Sequence, residues 1–314
     1  MIVDFSNCLL SNRNLQYAGR AGEKRGIIYD GENWFLKFPK NTLGMRKTGT
    51  LSYVTSPLSE YIGSHIYQIL GYDVHETILG ICFDGKRYKV VCACKDFIKD
   101  EKNELLIPYT ALRNDTNEAV MNRNDDNVVS ASNLEEIIFQ LDNNTVLSKI
   151  NEAKRRFWDV VVIDYLINNN DRNEDNWGVI KNIKENSYKL APIYDCGNCF
   201  YSKTDDDRIS LIMSDEKRLI ESSVNCITAY EDEEGNNIHF VDLLNTTNQN
   251  LIESIEKVLT SIEHKKEEII NFINSIDNEY NDIIIASELR KKYYLKTLEL
   301  RINILKDYIN SINN

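Results

Sequence analysis

Residues 171–195 read DRNEDNWGVIKNIKENSYKLAPIYD, and the pattern in this stretch decides which fold we expect. Two runs in it are rich in β-branched and aromatic residues, Trp177-Gly-Val-Ile-Lys and Tyr188-Lys-Leu-Ala-Pro-Ile-Tyr, and polar residues at 184–187 separate them. Such runs joined by a polar turn are typical of an antiparallel hairpin. The apolar run at 157–167 predicts a buried helix just before it.

The register predicted for this hairpin brings chemically active side chains together. If the turn is centred between Glu185 and Asn186, then Asn176 faces Asp195 at the open end of the hairpin. Asp171 lies in the loop that precedes the first strand. The sequence therefore predicts that two carboxylates and one carboxamide converge at this end.

These three side chains suit phosphoryl transfer. In such sites an Asp accepts the proton of the attacking hydroxyl, while an Asn five residues further on and a second Asp hold metal. Asp171, Asn176 and Asp195 have that order and that spacing. Oxygen ligands also suit Mg²⁺, whose coordination is normally completed by water and substrate phosphates.

Histidine spacing does not indicate a zinc site. The four histidines are scattered along the chain, and none begins a metalloprotease-type helix motif. They are His65, His75, His239 and His264. Magnesium is therefore the metal that the sequence implies.

A lysine in the N-terminal part supplies the positive charge that such a site needs. Lys37 lies in Trp34-Phe-Leu-Lys-Phe, a predicted strand whose neighbours look buried, and a buried ammonium needs an anion. Glu60, on a helix predicted over 57–70, is the natural carboxylate partner. The alternative is an edge strand that leaves Lys37 in water and Glu60 on a solvated helix face.

A glycine-rich segment precedes the first strand of this part. Residues 18–26 read AGRAGEKRG. Gly19, Gly22 and Gly26 would let backbone amides approach phosphate oxygens, and Lys24 or Arg25 would add a positive charge. No Gly-Lys-Ser/Thr follows, so the segment is not a Walker P-loop.

The pattern of elements predicts an α+β fold with two lobes. Residues 1–105 are strand-rich with one helix, and residues 106–314 are helical apart from the hairpin, so we place an N-lobe and a C-lobe at these ranges. Apolar residues at helical spacing predict long amphipathic helices over 251–276 and 283–312. These helices pack on their own lobe or, alternatively, pair with a partner as a coiled coil.

Composition excludes several classes of protein. The 314 residues include 37 Lys plus Arg and 49 Asp plus Glu, and the net charge of −12 argues against direct nucleic-acid binding as the main activity. No apolar run approaches the roughly 20 residues of a spanning helix, and no signal peptide is evident. We therefore expect a cytoplasmic protein without a membrane partner, with export without a signal peptide as the alternative. Its seven cysteines are then expected to be reduced.

Motifs spread over residues 15–200 together resemble a known family. They are the glycine-rich segment, Phe35-Leu-Lys37, Ser59-Glu60-Tyr, Lys95-Asp-Phe97, Asn170-Asp-Arg-Asn-Glu-Asp-Asn176 and Ala191-Pro-Ile-Tyr-Asp195. In this order they look like the HipA-like serine/threonine kinases. The likeness is greatest to the short CtkA-type members that lack the N-terminal domain of HipA.

The resemblance implies a bilobal protein-kinase-like fold that binds ATP and Mg²⁺ between its lobes. By motif position, Asp171 is the catalytic base and Lys37 holds the α- and β-phosphates. Asn176 and Asp195 bind Mg²⁺. The segment 94–97 is the hinge, which offers backbone polar atoms to adenine. The nucleotide-binding set is completed by Gly19, Gly22, Lys24, Glu60, Lys95, Phe97 and Tyr194.

The resemblance also implies a function in the cell. The expected substrate is a protein with a Ser or Thr acceptor, and the expected role is that of a toxin or effector with a small antitoxin-like regulator. One position departs from the family, whose loops usually read Asp-x-His. Asn173 stands in place of that histidine, so any contact made by the ring must be weaker here or come from another group.

Three other interpretations stay open. A lipid or small-molecule kinase is the nearest, because Asp-Arg-x-x-x-Asn also resembles the loop of phosphoinositide kinases, although no basic membrane patch supports a lipid substrate. A pseudokinase that only binds nucleotide is the second. The full set of Lys37, Asp171, Asn176 and Asp195 argues against it, because a chain without catalytic activity need not keep a base. Cys196-Gly-Asn-Cys199 suggests a redox protein, but the strand-then-helix context of thioredoxin is missing.

Overall fold

The computed structural model describes residues 2–13, 24–39, 55–113 and 130–313. Strands dominate the first part of the chain and helices the second, as predicted. The strands are β1 (Val3–Asp4), β2 (Leu9–Leu10), β3 (Lys24–Tyr29), β4 (Glu32–Lys37), β5 (Thr77–Phe83), β6 (Tyr88–Lys95), β7 (Glu104–Pro108), β8 (Gly178–Asn182), β9 (Ser187–Leu190), β10 (Ile227–Glu231), β11 (Asn237–His239), β12 (Glu279–Tyr280) and β13 (Ile283–Ile284). The helices are α1 (Ser56–Ile69), α2 (Leu134–Asn143), α3 (Ala153–Ile167), α4 (Asp206–Met213), α5 (Glu216–Val224), α6 (Phe240–Leu244), α7 (Gln249–Asn274) and α8 (Glu288–Ile312).

A six-stranded sheet forms the N-terminal part, in the order β1-β5-β6-β4-β3-β2. The hairpin of β3 and β4 turns at Asp30 and Gly31, whose φ angles are 50° and 75°, a region that glycine adopts without steric cost. Because β4 lies between β3 and β6, the alternative that Lys37 lies on an edge strand is wrong.

The two faces of β4 meet different layers, because side chains alternate along a strand. Trp34, Leu36 and Phe38 enter an apolar cluster on one face of the sheet. Lys37 points to the opposite face, on which α1 packs against β5 and β6. The alternation therefore directs the Lys37 ammonium towards α1.

Helix α1 begins one residue earlier than predicted. Its first residue is Ser56, with Thr55 as the N-cap and Pro57 in the first turn, where a missing N–H removes no helical hydrogen bond. The helix ends before Gly71, which has a φ of 87°. Glu60 thus lies in the second turn, where it can face the sheet.

Helix α3 confirms the buried helix that the apolar run predicts. Most of its residues are buried. It ends because Asn168 takes a left-handed backbone conformation with φ 54° and ψ 48°, which asparagine tolerates better than most residues. This turn directs the chain into the loop that contains Asp171.

Strands β8 and β9 confirm the predicted hairpin, but the predicted register is wrong. Val179 pairs with Leu190, and Asn182 pairs with Ser187. The turn therefore consists of residues 183–186 and lies closer to the first strand than the prediction placed it. Strand β7 adds a third strand next to β8.

The turn geometry explains the shift in register. Asn182 Oδ1 accepts a hydrogen bond from the Glu185 N–H at 3.0 Å, and Asn186 has a φ of 50°, so the chain reverses directly after Asn182. In this register Asn176 and Asp195 are not opposite each other. They lie in the irregular segments that flank the ladder, and another contact must bring them together.

The predicted boundary between the lobes falls inside a strand. Leu105 belongs to β7, which pairs with β8 of the hairpin through Leu106 and Ile180 among others. The division into 1–105 and 106–314 stays a prediction.

The C-terminal helices α7 and α8 match the predicted long helices, with one difference. The second begins at Glu288 because Glu279–Ile284 contain the small hairpin of β12 and β13. Ser287 then caps the helix, since its Oγ accepts from the Arg290 N–H at 3.2 Å. Both helices pack against α3 and against each other, which is the predicted packing on their own lobe.

Among the helices in the described ranges, none is both long and apolar enough to cross a membrane.

Candidate active site

Three charged side chains from three parts of the chain meet between the sheet and the helical part. Nζ of Lys37 lies 2.7 Å from Oε2 of Glu60 and 2.8 Å from Oδ1 of Asp195. The Glu60 side chain is fully buried, whereas 27% of the Asp195 side chain is exposed. A single ammonium therefore donates to two carboxylates, one fully buried and one half-buried.

The three groups keep one another ionised. Burial lowers the pKa of an ammonium, but Asp195 and Glu60 raise the pKa of Lys37 well above its ordinary value. Burial opposes ionisation of Glu60, but Lys37 and His75 hold its pKa below the usual range. Burial also opposes ionisation of Asp195, and Lys37 lowers the pKa of that carboxyl. At neutral pH the cluster therefore contains one cation and two anions.

His75 lies behind Glu60. Its Nε2 is 2.9 Å from Oε1 of Glu60 and 3.2 Å from Oγ of Ser64. The backbone N–H of His75 donates to the Ile193 carbonyl at 3.0 Å, which connects the loop before β5 to the segment after β9. No sequence pattern indicates a role for His75, because its place depends on that long-range backbone contact.

Helix α1 is fastened to the segment that follows Asp195. Oγ of Ser59 donates to the Cys199 carbonyl at 2.7 Å. A Cβ atom at Gly63 would lie 2.8 Å from the sulfur of Cys199, so only glycine permits this close approach. The contact fixes Glu60 relative to Asp195.

Cys196 and Cys199 form part of this packed wall. Both are fully buried free thiols, and Cys196 Sγ lies 3.5 Å from Nη2 of Arg172. Burial raises the pKa of the Cys199 thiol well above its ordinary value. A reactive thiolate is what a redox motif needs, so the redox interpretation finds no support in this geometry.

Lys24 faces the same charges. It pairs with Lys37 across β3 and β4, and its Nζ lies 5.6 Å from the centre of the Phe35 ring. Burial and the neighbouring Lys37 both lower its pKa. Its contact with phosphate stays a prediction, and Gly19 and Gly22 lie outside the described residues.

Asp171 lies in a loop held by two asparagines. Nδ2 of Asn176 donates to the backbone carbonyl of Asp171 at 2.6 Å, and Nδ2 of Asn173 donates to Oδ1 of Asp171 at 3.1 Å. Because the Asn176 nitrogen is already used, its Oδ1 is the atom left for a metal. Asn173 supplies a contact that orients the Asp171 carboxylate in place of the histidine ring.

Arg172 connects this loop to α3 and to the segment of Asp195. Its guanidinium is buried, and Nε donates to Oδ2 of Asp164 at 2.9 Å. Nη1 donates to the carbonyl of Asn176 at 3.2 Å and also to the carbonyl of Tyr194. Since one nitrogen contacts both carbonyls, Asn176 and the residue before Asp195 lie side by side. Arg172, for which no sequence pattern indicates a role, brings these two segments together, as strand pairing was predicted to do.

We expect Arg172→Ala to lower the free energy of unfolding by about 3 to 5 kcal/mol, because Asp164 would stay buried without its cation. Urea unfolding followed by circular dichroism measures the change. The control variant Arg208→Ala removes an exposed arginine from α4. We expect it to lower the free energy of unfolding by less than about 0.5 kcal/mol. A loss for Arg172→Ala as small as that of the control would contradict the role assigned to this contact.

The predicted hinge lies beside Tyr194. The rings of Phe97 and Tyr194 have centres 5.7 Å apart. The Lys95 ammonium is paired with Glu32 and, at 2.9 Å, with Glu76. We therefore expect Lys95 to contribute its backbone rather than its side chain to a bound nucleotide.

The side chains near this loop have the chemistry that a hard cation requires. Asn176 offers a carboxamide oxygen, and Asp195 offers a carboxylate whose pKa is lowered by Lys37. Mg²⁺ prefers such oxygen donors and is commonly held by one or two protein groups, with waters and phosphates as the other ligands. The residues present therefore fit this ion.

Comparison with known proteins gives one curated relative. The chain matches no family model. It is 30% identical over 247 residues to the serine/threonine-protein kinase CtkA of Helicobacter pylori strain J99, which covers 78% of this chain and 71% of the relative.

Among the solved structures that resemble the fold are those of CtkA and HipA. The crystal structure of a Helicobacter pylori proinflammatory kinase, CtkA, superposes with a TM-score of 0.82 and 25% identity, covering 100% of this chain and 99% of that chain. HipA from the Shewanella oneidensis MR-1 toxin–antitoxin system, in complex with HipB and its operator DNA, gives a TM-score of 0.50 at 15% identity, covering 93% and 67%. The match to CtkA confirms the predicted kinase-like α+β fold, and the match to HipA supports the fold alone.

Proposed function

This chain belongs to the HipA-like family of serine/threonine protein kinases, and we propose that it transfers the γ-phosphoryl group of Mg²⁺-bound ATP to a Ser or Thr hydroxyl of a protein. The observation that carries the proposal is the ion cluster of Lys37, Glu60 and Asp195 next to the loop of Asp171 and Asn176. A phosphoryl-transfer site needs these groups together, because catalysis there is mainly positioning and neutralisation of charge.

Asp171 is the proposed base. Its carboxylate is exposed, so an acceptor hydroxyl can approach it, and Asn173 holds one of its oxygens. A general base must come within hydrogen-bond reach of the proton that it removes. An oriented carboxylate at the surface of the site meets that requirement.

Lys37 is the proposed contact to the α- and β-phosphates. Its raised pKa keeps it protonated, and Glu60 holds its position from the buried side. Lys24 adds a second positive charge from the neighbouring strand. Mg²⁺ held by Asn176 and Asp195 would neutralise phosphate charge when it is bound.

The hinge backbone suggests how adenine would be held. The N–H groups of Lys95 and Asp96 already donate to the carbonyls of Glu76 and Asn33 at 2.9 and 3.0 Å. We therefore assign the donor to adenine to the N–H of Phe97.

A toxin-like or effector-like role is the proposed biological context. The relative HipA was solved as part of a toxin–antitoxin system with HipB, and a small antitoxin-like regulator is the corresponding proposal for this chain. The site would lie between the lobes at 1–105 and 106–314. Because the reaction consumes ATP, we propose the cytoplasm as its location.

Labelled ATP tests the proposal. The purified chain is incubated with Mg²⁺, a cell lysate and ATP labelled either at the γ- or at the α-phosphate, and the label found with Asp171→Asn, which reports the kinases of the lysate itself, is subtracted. We expect phosphoserine or phosphothreonine in protein from the γ-label and none from the α-label. Label from the α-position would identify nucleotidyl transfer. Label that enters phosphoinositide vesicles but not protein would identify a lipid kinase, and no label at all would identify a pseudokinase.

A further inference from the structure

Three buried side chains with different ligand chemistry converge behind the Lys37–Glu60 ion pair. Glu60 comes from α1, His75 from the loop between α1 and β5, and Cys94 from β6. Each offers one ligand atom, and these atoms all lie within 4.8 Å of one another. Glu60 and Cys94 are fully buried and His75 is 3% exposed. We call these residues the Glu60–His75–Cys94 cluster.

Hydrogen bonds among the described residues leave two atoms of this cluster without a partner. Oε1 of Glu60 and Nδ1 of His75 are buried without a hydrogen-bond partner there. Nε2 of His75 lies 2.9 Å from that same Oε1, so these two side chains are in contact, and within the described part of the chain Nδ1 is the ring nitrogen left without a partner. Buried polar groups are normally paired, and a cation bound by Glu60, His75 and Cys94 together would pair these atoms.

The donor set selects the kind of cation. Cys sulfur, His nitrogen and Glu oxygen are the usual ligands of Zn²⁺, with bonds of about 2.0 to 2.3 Å, so ligand atoms lie about 3.3 to 3.6 Å apart in a tetrahedral site. Ligand atoms within 4.8 Å of one another can reach these separations if the three side chains rearrange around the ion. Thiolate ligands disfavour Mg²⁺ and Ca²⁺. The cluster therefore differs in chemistry from the oxygen donors of Asn176 and Asp195.

We propose that the Glu60–His75–Cys94 cluster binds Zn²⁺, or a cation of similar affinity for thiolate, and that its occupation inhibits phosphoryl transfer. Three residues supply ligands, and water or Ser64 can supply a fourth. The Cys94 thiol releases its proton to solvent on binding, because the thiolate is the ligand.

Inhibition follows from the position of Glu60. Its Oε2 is 2.7 Å from the Lys37 ammonium, so a divalent cation on Oε1 would place two positive groups on one carboxylate. The cation would withdraw negative charge from Lys37 and weaken the contact that positions it. The lysine–glutamate pair must be in place for transfer in protein kinases. The inhibition rests on the proposed function, whereas binding of the metal does not.

Spacing along the sequence cannot reveal this cluster. His75 is not part of a histidine motif, and Glu60 and Cys94 lie far from it along the chain. They meet because the Ile193 carbonyl fixes the backbone of His75 and β6 pairs with β5 through Cys94 and Thr77. Magnesium is thus not the only metal for which the fold assembles ligands.

Titration with Co²⁺ tests binding without any assay of activity. The reduced full chain is titrated in the absence of Mg²⁺ and nucleotide, and we expect a thiolate-to-cobalt absorption band that saturates at one ion per chain and is abolished by Zn²⁺. Loss of a residue that only contacts a metal ligand lowers the affinity for metal by about 10- to 100-fold. Cys94→Ser and His75→Gln remove ligands themselves, so each should lower the affinity for Co²⁺ by more than that.

Two other buried cysteines provide matched controls. Cys226 donates to the Ser223 carbonyl at 3.1 Å and lies outside the cluster, so Cys226→Ser should keep the band. Cys199→Ser should also keep the band, because Cys199 is not part of the cluster. Cys196 and Cys199 are the other pair of buried thiols that could bind Co²⁺, so this variant separates the two sites. Circular dichroism checks that each variant is folded. Absence of the band in the wild type, its retention in folded Cys94→Ser, or its loss in folded Cys199→Ser would overturn the proposed site.

Phosphoryl transfer with and without Zn²⁺, at saturating Mg-ATP, tests inhibition. The ratio of the two rates is taken within each variant, so differences in basal rate cancel. At free Zn²⁺ ten times the dissociation constant we expect an about tenfold lower rate in the wild type and a much smaller change in Cys94→Ser. Equal inhibition in both would place the inhibitory ion at Asp195 and would overturn the inhibitory role. A wild type without any transfer would refute the proposed function, while the Co²⁺ titration would still decide the site.

Discussion

Asp171→Asn should lower the rate of phosphoryl transfer by about 10²- to 10⁴-fold, which is the contribution of a positioned general base. Asparagine keeps the shape of the side chain and can still contact Asn173, but it cannot accept the proton of the attacking hydroxyl. The backbone carbonyl of Asp171, which accepts from Asn176 at 2.6 Å, is unchanged. Affinity for Mg-ATP should therefore stay near that of the wild type, and the loss should appear in kcat.

Asp175→Asn is the control for this variant. Asp175 is an exposed carboxylate of the same loop, and its Oδ1 accepts from Oγ1 of Thr110 at 2.7 Å, so it is engaged elsewhere. We expect its kcat to stay close to the wild-type value. Transfer by Asp171→Asn at the rate of Asp175→Asn would show that another group removes the proton.

Asp195→Asn should weaken the binding of Mg-ATP as well as transfer. Asp195 is the only carboxylate among the two proposed Mg²⁺ ligands and also accepts from Lys37 at 2.8 Å. A hydrogen bond to a charged group contributes about 1.5 to 3 kcal/mol, so we expect an affinity for Mg-ATP lower by about 10- to 100-fold. Calorimetric titrations with Mg-ATP, and with ATP in the presence of a chelator, measure it.

The metal dependence identifies the cause of this loss. In the wild type Mg²⁺ should strengthen nucleotide binding, and in Asp195→Asn that gain should disappear. Asp207→Asn removes an exposed carboxylate of α4 and should behave as the wild type. If Asp195→Asn keeps the Mg²⁺-dependent gain, the ion is held by other groups and the assignment of this ligand is wrong.

Local patterns predicted the main elements of the fold because each of them depends on neighbouring residues. Alternation in β4 separates Leu36 from Lys37, and the all-round apolar run of α3 predicts burial. The partnership of Lys37 with Glu60 was also predictable, since a buried ammonium requires an anion. The structure places their charged atoms 2.7 Å apart.

The contacts that assemble the site depend on distant residues, and the sequence alone did not reveal them. The register of a hairpin shifts with the conformation of a single turn residue, here Asn186. The predicted pairing of Asn176 with Asp195 across the hairpin is therefore wrong, although the segments that contain them do lie side by side. The actual link is Arg172, whose hydrogen bonds to two backbone carbonyls leave no trace in spacing. His75 is similar, because a backbone contact with Ile193 sets its position.

The attachment of α1 has a consequence for motion between the two lobes. The helix is bonded to the C-terminal part through Ser59 and lies against Cys199 at Gly63. Its contacts with β5 and β6 are apolar packing and one longer polar contact, in which Oγ1 of Thr77 lies 3.3 Å from Nδ1 of His65. Packing of this kind can slide, but a bonded contact must break. If the cleft opened, the sheet would therefore move along α1, and Lys37 would leave Glu60 and Asp195 in the same step.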